Sequence, residues 1–565
     1  MTARDLPSML AARASGVATT VRVLGRAGVI RPHGPRTLVD IGRLVVRWGT
    51  GPAGGFATLA AREPHRVGVV DELGELTWGE LQRRSNSLAR ALAERGVREG
   101  DSVAVMCRNH RGFIDATVAV AKLGADILYL NTAFAGPQLV DVLEREAPSM
   151  VIHDEEFTGL LAGADIERRV LAWTDGDHGA DGAEGTVETL ERLVTAYDES
   201  DLHPPARHAR IVILTSGTTG APKGAPRKEA GIDAAVSLLS RMPLRAGWRT
   251  HIAAPLFHTW GFAHLALAML LGSTVVLRRT FDPLEALRTT QAERCQSMVV
   301  IPVMLQRMLA LDPEELADVD LSRVEVVASS GSALPATLAQ TWMDRFGDNL
   351  YNIYGSTEVA YASIATPEDL RADPTSAGKP PYGTVVKILD DAGHELPRGE
   401  TGRIFVGNGL LFEGYTNGGS KEVVEGLMSS GDLGWFDEAD RLHVAGRDDD
   451  MIVSGGENVF PQEVEDCLFA HEAVEEVAAL GVVDEDYGQR LRAFVVRTGE
   501  VSEDDLREHV KAHLARFKVP REIIFLDELP RNATGKVLKR ELAGWDSRDD
   551  QQQQKTKKKD GEGPA

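Results

Sequence analysis

The chain has 565 residues and a mass of 61.1 kDa, room for about two to four domains. Hydrophobic residues at 43% and charged residues at 26% exclude a wholly disordered chain. With 62 Lys plus Arg against 84 Asp plus Glu, the net charge of −22 excludes a general nucleic-acid binder, because a phosphate backbone demands clustered cations.

Residues 1–56 depart from that balance. They hold eight Arg, no Lys or Glu, and only Asp5 and Asp40, a local charge of +6. Asp5, Pro7 and Arg13 interrupt any secretory signal. The apolar stretch His264–Leu277 is too short to span a bilayer. Cys107, Cys295 and Cys467 form no CxxC pair, which argues against a zinc or disulfide framework and for a reducing, cytoplasmic setting. Pro32, Pro35 and several glycines limit any single helix in the basic segment, and Gly51–Gly55 reads as a linker.

Thr77-Trp-Gly-Glu80 is a capping box that opens a helix carrying Leu81, Leu88 and Leu92. Strands are expected at 102–106, 211–214, 274–277, 297–301 and 324–328, with helices at 229–241, 284–294 and 335–346 between them. Such alternation predicts parallel sheets with crossover helices. From about residue 380 the pattern turns to short strands, 385–389 and 403–406, around the turn-rich 390–401. A last α+β module begins near Asp448. It has Pro461 at a helix start, a second capping box at Ser502–Asp505, and strands at 474–482, 491–497 and 522–526. Residues 551–565 are low-complexity and expected to be disordered.

The stretch from Ile211 to Gly224, IVILTSGTTGAPKG, is the most informative. A strand runs into Thr215, Ser216, Gly217, Thr218, Thr219 and Gly220, with Lys223 beyond. Glycines let successive N–H groups curl around an anion, and hydroxyls and a lysine add donors, a description of a triphosphate cradle. Ala221 and Pro222 separate Gly220 from Lys223, so the Walker A pattern does not fit.

This loop resembles the phosphate loop of the adenylate-forming superfamily, which includes acyl-CoA synthetases, luciferases and adenylation domains. Six further motifs follow in the superfamily's order: 254–261 (APLFHTWG), 329–334 (SSGSAL), 351–358 (YNIYGSTE), 430–434 (SGDLG), 446–458 (GRDDDMIVSGGEN) and 530–536 (PRNATGK). The resemblance covers about residues 57–545. It implies an α/β fold: a large N-terminal region, 57–447, of parallel αβ subdomains plus a small β-barrel-like part, then a small mobile α+β domain, 448–545. Residues 1–56 are then a basic extension and 546–565 a disordered tail.

The resemblance also implies roles. A carboxylate attacks the α-phosphate of ATP to give acyl-AMP and pyrophosphate, and a thiol then takes the acyl group. Thr215–Gly220 and Lys223 would hold phosphates, Thr357 the α-phosphate, and Glu358 a Mg²⁺ ion. Ser330, Gly331, Ser332 and Tyr354 would face adenine; Asp432 and Arg447 the ribose. Lys536 would reach the reacting oxygens. His258 would lie near the acyl carboxylate, with Trp260 and Gly331 lining the acyl pocket. Asp449 would be the hinge between half-reactions, and Ser454, Gly455 and Gly456 would meet coenzyme A. Outside the motif context, Glu358 reads as a solvated carboxylate, Tyr354 as core and Lys536 as an exposed lysine.

No charged residue occurs in 257–270, which favours a fatty or aryl acid over an amino acid, with a medium- or long-chain fatty acid first. Only 29 residues follow Lys536, too few for a fused carrier domain, so free coenzyme A is the expected acceptor. The alternatives are an acyl-AMP ligase serving a separate carrier protein, an aryl-acid–CoA ligase, or a nucleotide-binding regulatory protein without catalysis. The arginine-rich extension is expected either to lie on an anionic membrane, to cover the acyl entry, or to dock on the acidic body; a homodimer is left open.

Overall fold

Every residue of one helix, Arg111–Lys122, is buried, its charged residues included. The reason is its place between two large sheets. The computed structural model describes residues 6–31, 34–134, 136–175, 188–215, 223–226, 232–356, 358–411, 421–448, 452–454, 457–484, 488–532 and 535–545. From the N-terminus its helices are α1 (Leu6–Arg26), α2 (Pro35–Trp48), α3 (Pro52–Arg62), α4 (Trp78–Glu94) and α5 (Arg111–Lys122), with the strand β1 (Val67–Asp71) between α3 and α4.

The first sheet has eight strands in the order 363–365, 350–354, 326–329, 297–300, 249–252, 274–276, 67–71 and 74–77. Its inner pairs are parallel and its two outermost pairs antiparallel. The second has seven strands, ordered 188–189, 169–173, 150–154, 102–106, 126–129, 211–215 and 223–226, parallel except for the last pair. A five-stranded antiparallel sheet (385–447) and a small C-terminal α+β unit follow. The architecture is thus a large region of parallel αβ sheets with a small α+β C-terminal domain. Among the described residues no helix is long and apolar enough to cross a membrane.

Local signals account for many of these elements. Thr77 Oγ1 accepts from Glu80 N at 3.2 Å while Glu80 Oε2 accepts from Thr77 N at 2.7 Å, the reciprocal box that starts α4. Ser502 and Asp505 repeat it for the 503–513 helix, and Pro461 begins the 461–469 helix.

The expected linker at Gly51–Gly55 is instead the start of α3. Gly51 is the N-cap, Pro52 supplies the preset first turn, and Phe56 packs edge-on against Trp78 at 5.4 Å. A Cβ on Gly54 would lie 2.0 Å from the Gly49 carbonyl oxygen, so this glycine permits the tight α2–α3 corner. The basic segment is likewise ordered onto the body. Val23 and Leu24 of α1 and Ala27 just after it are buried, Ala27 O accepts from Ala246 N at 2.7 Å, and Trp48 of α2 joins the main core.

The charges of α5 each find a partner. Arg111 forks onto Asp71 of β1 at 2.9–3.0 Å through Nε, tying the two sheets. Asp115 accepts from Arg84 at 2.7 and 3.0 Å, and Lys122 donates to Gln82, Ser85 and Asn86. Burial would raise the Asp71 carboxyl, but its bonds to Arg111 outweigh this and hold it below the ordinary range. Asp71→Ala leaves the Arg111 guanidinium buried without its counter-ion, and unfolding in denaturant should show a loss of about 3–5 kcal/mol. Asp71→Leu paired with Arg111→Leu should recover much of it.

Candidate active site

The C-terminal edges of the inner strands open onto one cleft of about 2130 Å³. It gathers residues from all seven sequence motifs, Ile211, Ile213 and Leu214 of the strand before the phosphate loop included. His258 and Trp260 come from the start of the 259–271 helix, and Ser330, Gly331 and Ser332 follow the 326–329 strand. Tyr354 ends the 350–354 strand, Glu358 lies just beyond it, Asp432 and Arg447 sit on paired strands, and Lys536 comes from the C-terminal domain.

Asp432 is the centre of the polar end. It is the register partner of Arg447, whose Nε lies 3.7 Å from Oδ1. The Tyr354 hydroxyl donates to Oδ2 at 2.5 Å, and Ser430 Oγ accepts from the Asp432 amide at 3.2 Å. Burial pushes the Asp432 carboxyl up; Tyr354, Arg447, Ser430 and Lys536 act against it and favour the carboxylate. Burial and then the neighbouring Asp432 push the Tyr354 hydroxyl well above its ordinary value, so it stays a donor.

Lys536 rides on a tight turn. Asn532 Oδ1 accepts from Lys536 N at 2.9 Å, Asn532 N donates to Lys536 O at 2.9 Å, and Arg531 Nη1 donates to Gly535 O at 2.6 Å. Gly535 has φ 76°, and a Cβ there would sit 2.6 Å from Val303 Cγ1. Only glycine lets this turn seat against the large region and carry the lysine into the cleft.

The apolar branch starts at Trp260. Its indole N–H donates to Val300 O at 2.9 Å and its ring stands edge-on to His264 at 4.4 Å, which anchors Trp260 in the wall of the cleft. Gly331, at φ 103°, lies against Ile301. Ala263, Ala266, Leu267 and Leu270 continue the wall, and Val29, Ile30, Ile41 and Val45 of the N-terminal segment line the same cleft.

Thr215 and Lys223 are the closing register pair of an antiparallel hairpin, which places both ends of the expected phosphate loop together. Ser216, Gly217, Thr218, Thr219 and Gly220 lie outside the described residues, as do Thr357, Asp449, Gly455 and Gly456. Ser454 ends a strand, 452–454, paired with 457–459.

Sequence reasoning missed Asn109. Its Nδ2 donates to Ile252 O at 3.1 Å and Ala254 O at 2.9 Å, and its Oδ1 accepts from Leu256 N at 2.8 Å. It therefore shapes the segment that delivers His258, from a different sheet. No local pattern marks it. Covering the acyl entry was one of the expectations for the N-terminal segment, and its Val29, Ile30, Ile41 and Val45 line the cleft.

A model of the AMP-binding enzyme family matches residues 56–416, and one of its C-terminal domain matches 463–536. The chain belongs to the AMP-binding enzyme family. This AMP-binding enzyme is 33% identical over 492 residues to a feruloyl-CoA synthase of Amycolatopsis sp, covering 86% of this chain and 96% of the relative. It is 31% identical to the putative acyl–CoA ligase YdaB of Bacillus subtilis, covering 82% and 93%. The crystal structure of the anthranilate CoA ligase AuaEII in complex with anthranoyl-AMP superposes with a TM-score of 0.78 at 25% identity, covering 89% of this chain and 98% of that one.

Two buried histidines make the enzyme's stability pH-dependent. Burial, followed by nearby Arg278, pushes His251 down to about 4, and burial alone pushes His264 down to about 3, from 6.5. Between pH 6.5 and these values the unfolded chain binds protons that the folded chain refuses. The stability is therefore fully present above pH 6.5 and lost as pH falls. The melting temperature should drop through that window, and His264→Phe should flatten the drop. Asn109→Ala should lower ATP–pyrophosphate exchange by about 10²-fold with the melting temperature moved far less, since a displacement of about 1 Å near the reacting groups costs that much.

Proposed function

We propose that this AMP-binding enzyme is an AMP-forming acid–CoA ligase that joins a carboxylic acid to ATP, releases pyrophosphate and passes the acyl group to coenzyme A. The observation that carries the reading is the joining of Asp432, Arg447, Tyr354, Glu358 and Lys536 to a long apolar branch in one cleft. Support comes also from relatives whose names describe acid–CoA ligation.

In this reading Asp432 accepts the ribose hydroxyls on the oxygen that faces Arg447, and Tyr354 fixes its orientation through Oδ2. Lys536 offsets charge growing on the oxygens at the α-phosphate. His258 and Trp260 bound the carboxylate, and Ser330, Gly331 and Ser332 leave room for adenine. Thr215–Gly220, Lys223 and Thr357 take phosphates. Magnesium suits the donor set, because Glu358 brings one half-buried carboxylate to the cleft and this ion needs few protein oxygens when phosphates share it. When bound it would neutralise phosphate charge. Residues 448–545 rotate about Asp449 over the body 57–447, bringing Ser454–Gly456 to coenzyme A.

The acid we favour has a medium- or long-chain apolar tail. The apolar lining of the cleft includes Trp260 and also Val29, Ile30, Ile41 and Val45 of the N-terminal segment, and the helix after His258 carries no charged side chain. The second reading, an aryl acid, is favoured by the feruloyl and anthranilate names of the relatives. Residues 1–56 are read as a peripheral membrane contact.

Purified protein given ATP, magnesium and a series of straight-chain and single-ring aryl acids should release pyrophosphate, and coenzyme A should convert the product to a thioester. Rising kcat/KM with chain length supports the tail; preference for the ring acids supports the second reading. Lys536→Ala should lower pyrophosphate release by about 10²–10³ while thioester formation from supplied acyl-AMP persists. Absence of pyrophosphate with every acid would refute the ligase reading. Acyl-AMP without thioester would point to a carrier protein.

A further inference from the structure

The far end of the apolar branch reaches the surface through side chains that are both channel wall and exposed. Ile30, Val45 and Ile232 line the cleft and are also among the exposed large hydrophobics. In water these side chains would leave apolar area uncovered at the opening. Beside it, α1 buries Val23 and Leu24 against the body and α2 buries Trp48, and each turns other side chains outward.

The outward faces have one composition. On α2, Val46 is 84% exposed and Val39 51%, and at ~100° per residue Arg43, Arg36 and Arg47 lie next around the helix. On α1 the exposed arc runs from Val17 and Val21 to Arg22 and Arg26. Arg31, exposed at the rim, donates through Nη2 to Ala246 O at 3.0 Å and so is held there. Six arginines are exposed, and the single described acid in the segment is Asp40, 3.8 Å from Arg43. The remaining residues carry 54 Lys and Arg against 82 Asp and Glu, so this cationic face stands against an acidic body and is attractive to an anionic surface.

Resting on the reading that the acid has an apolar tail, we propose that α1 and α2 seat the channel mouth on an anionic lipid bilayer and that the acid enters from the bilayer between Ile30, Val45 and Ile232. Valines flanked by guanidiniums suit the interface, where short apolar side chains meet acyl chains and arginines meet lipid phosphates. The attachment fixes orientation: the cationic rim faces lipid, and the polar end of the cleft faces water, where ATP and coenzyme A are.

The test uses the full chain and two variants that leave the channel lining intact: Val39→Asp with Val46→Asp, and Arg36→Glu with Arg43→Glu and Arg47→Glu. Co-sedimentation is measured with phosphatidylglycerol/phosphatidylcholine vesicles and with phosphatidylcholine alone. The unaltered chain should bind only the anionic vesicles, and each variant should lose about tenfold or more in partitioning. Pyrophosphate release from acid dissolved without lipid should be unchanged in both. Release from acid preloaded in anionic vesicles should fall with binding. Equal binding by all three chains, or none by the unaltered chain, overturns the proposal. So does a dimer in solution that Val46→Asp dissociates without any change in vesicle binding, which would give the face to a second copy. Failure to release pyrophosphate from dissolved acid would count against the ligase reading instead, since that arm involves no lipid.

Discussion

The wedging of α5 between two sheets is the constraint on which the site depends. A helix buried on all sides must either be apolar all round or satisfy every polar group it carries. This one carries Arg111, Asp115 and Lys122, and each is matched by a group on β1 or α4. Those partners lock the eight-stranded sheet to the seven-stranded one. Two residues before Arg111, Asn109 reaches across the same junction and fixes 252–256, the run that ends at His258. The cleft wall at His258 is thus held by the device that joins the sheets.

In the proposed reading the polar end would handle anions by placement rather than by bulk charge. A chain of net charge −22 repels a triphosphate at long range. Locally, Arg447 and Lys536 converge on the neighbourhood of Asp432, and burial strengthens each interaction there. The same burial makes single groups costly to disturb, which explains why Tyr354 and Ser430 both serve one carboxylate. The apolar branch is built the opposite way, from an indole pinned to a backbone carbonyl and a helix without charges, so its shape is set by packing.

The N-terminal segment joins these two themes. Its inward residues, Val23, Leu24, Ala27 and Trp48, belong to the main core, and Ile30, Ile41 and Val45 extend the branch. Its outward residues carry the arginines. One short stretch therefore completes the channel and changes the sign of the surface around its mouth.

What was legible in the sequence was local or ordered along the chain. Capping boxes at Thr77–Glu80 and Ser502–Asp505, Pro461 at a helix start, and strands such as 211–214 depend on neighbours a few residues apart, so they could be read directly. The ordered motifs placed the family, because glycine loops and their lysines are contiguous. Gly51–Gly55 was misread because the reason for its glycines, the crossing of Gly54 over the Gly49 carbonyl, lies in the packing of two helices. The burial of Arg111 and Lys122, the reach of Asn109 and the bond from Tyr354 to Asp432 join residues 36 to 147 positions apart, and no periodicity records such pairings. The sequence by itself determined the fold class, the order of the motifs and the basic character of the first segment. Only the tertiary structure decided which of those residues share a cleft and where its apolar branch opens, because long-range burial, not local preference, sets those contacts.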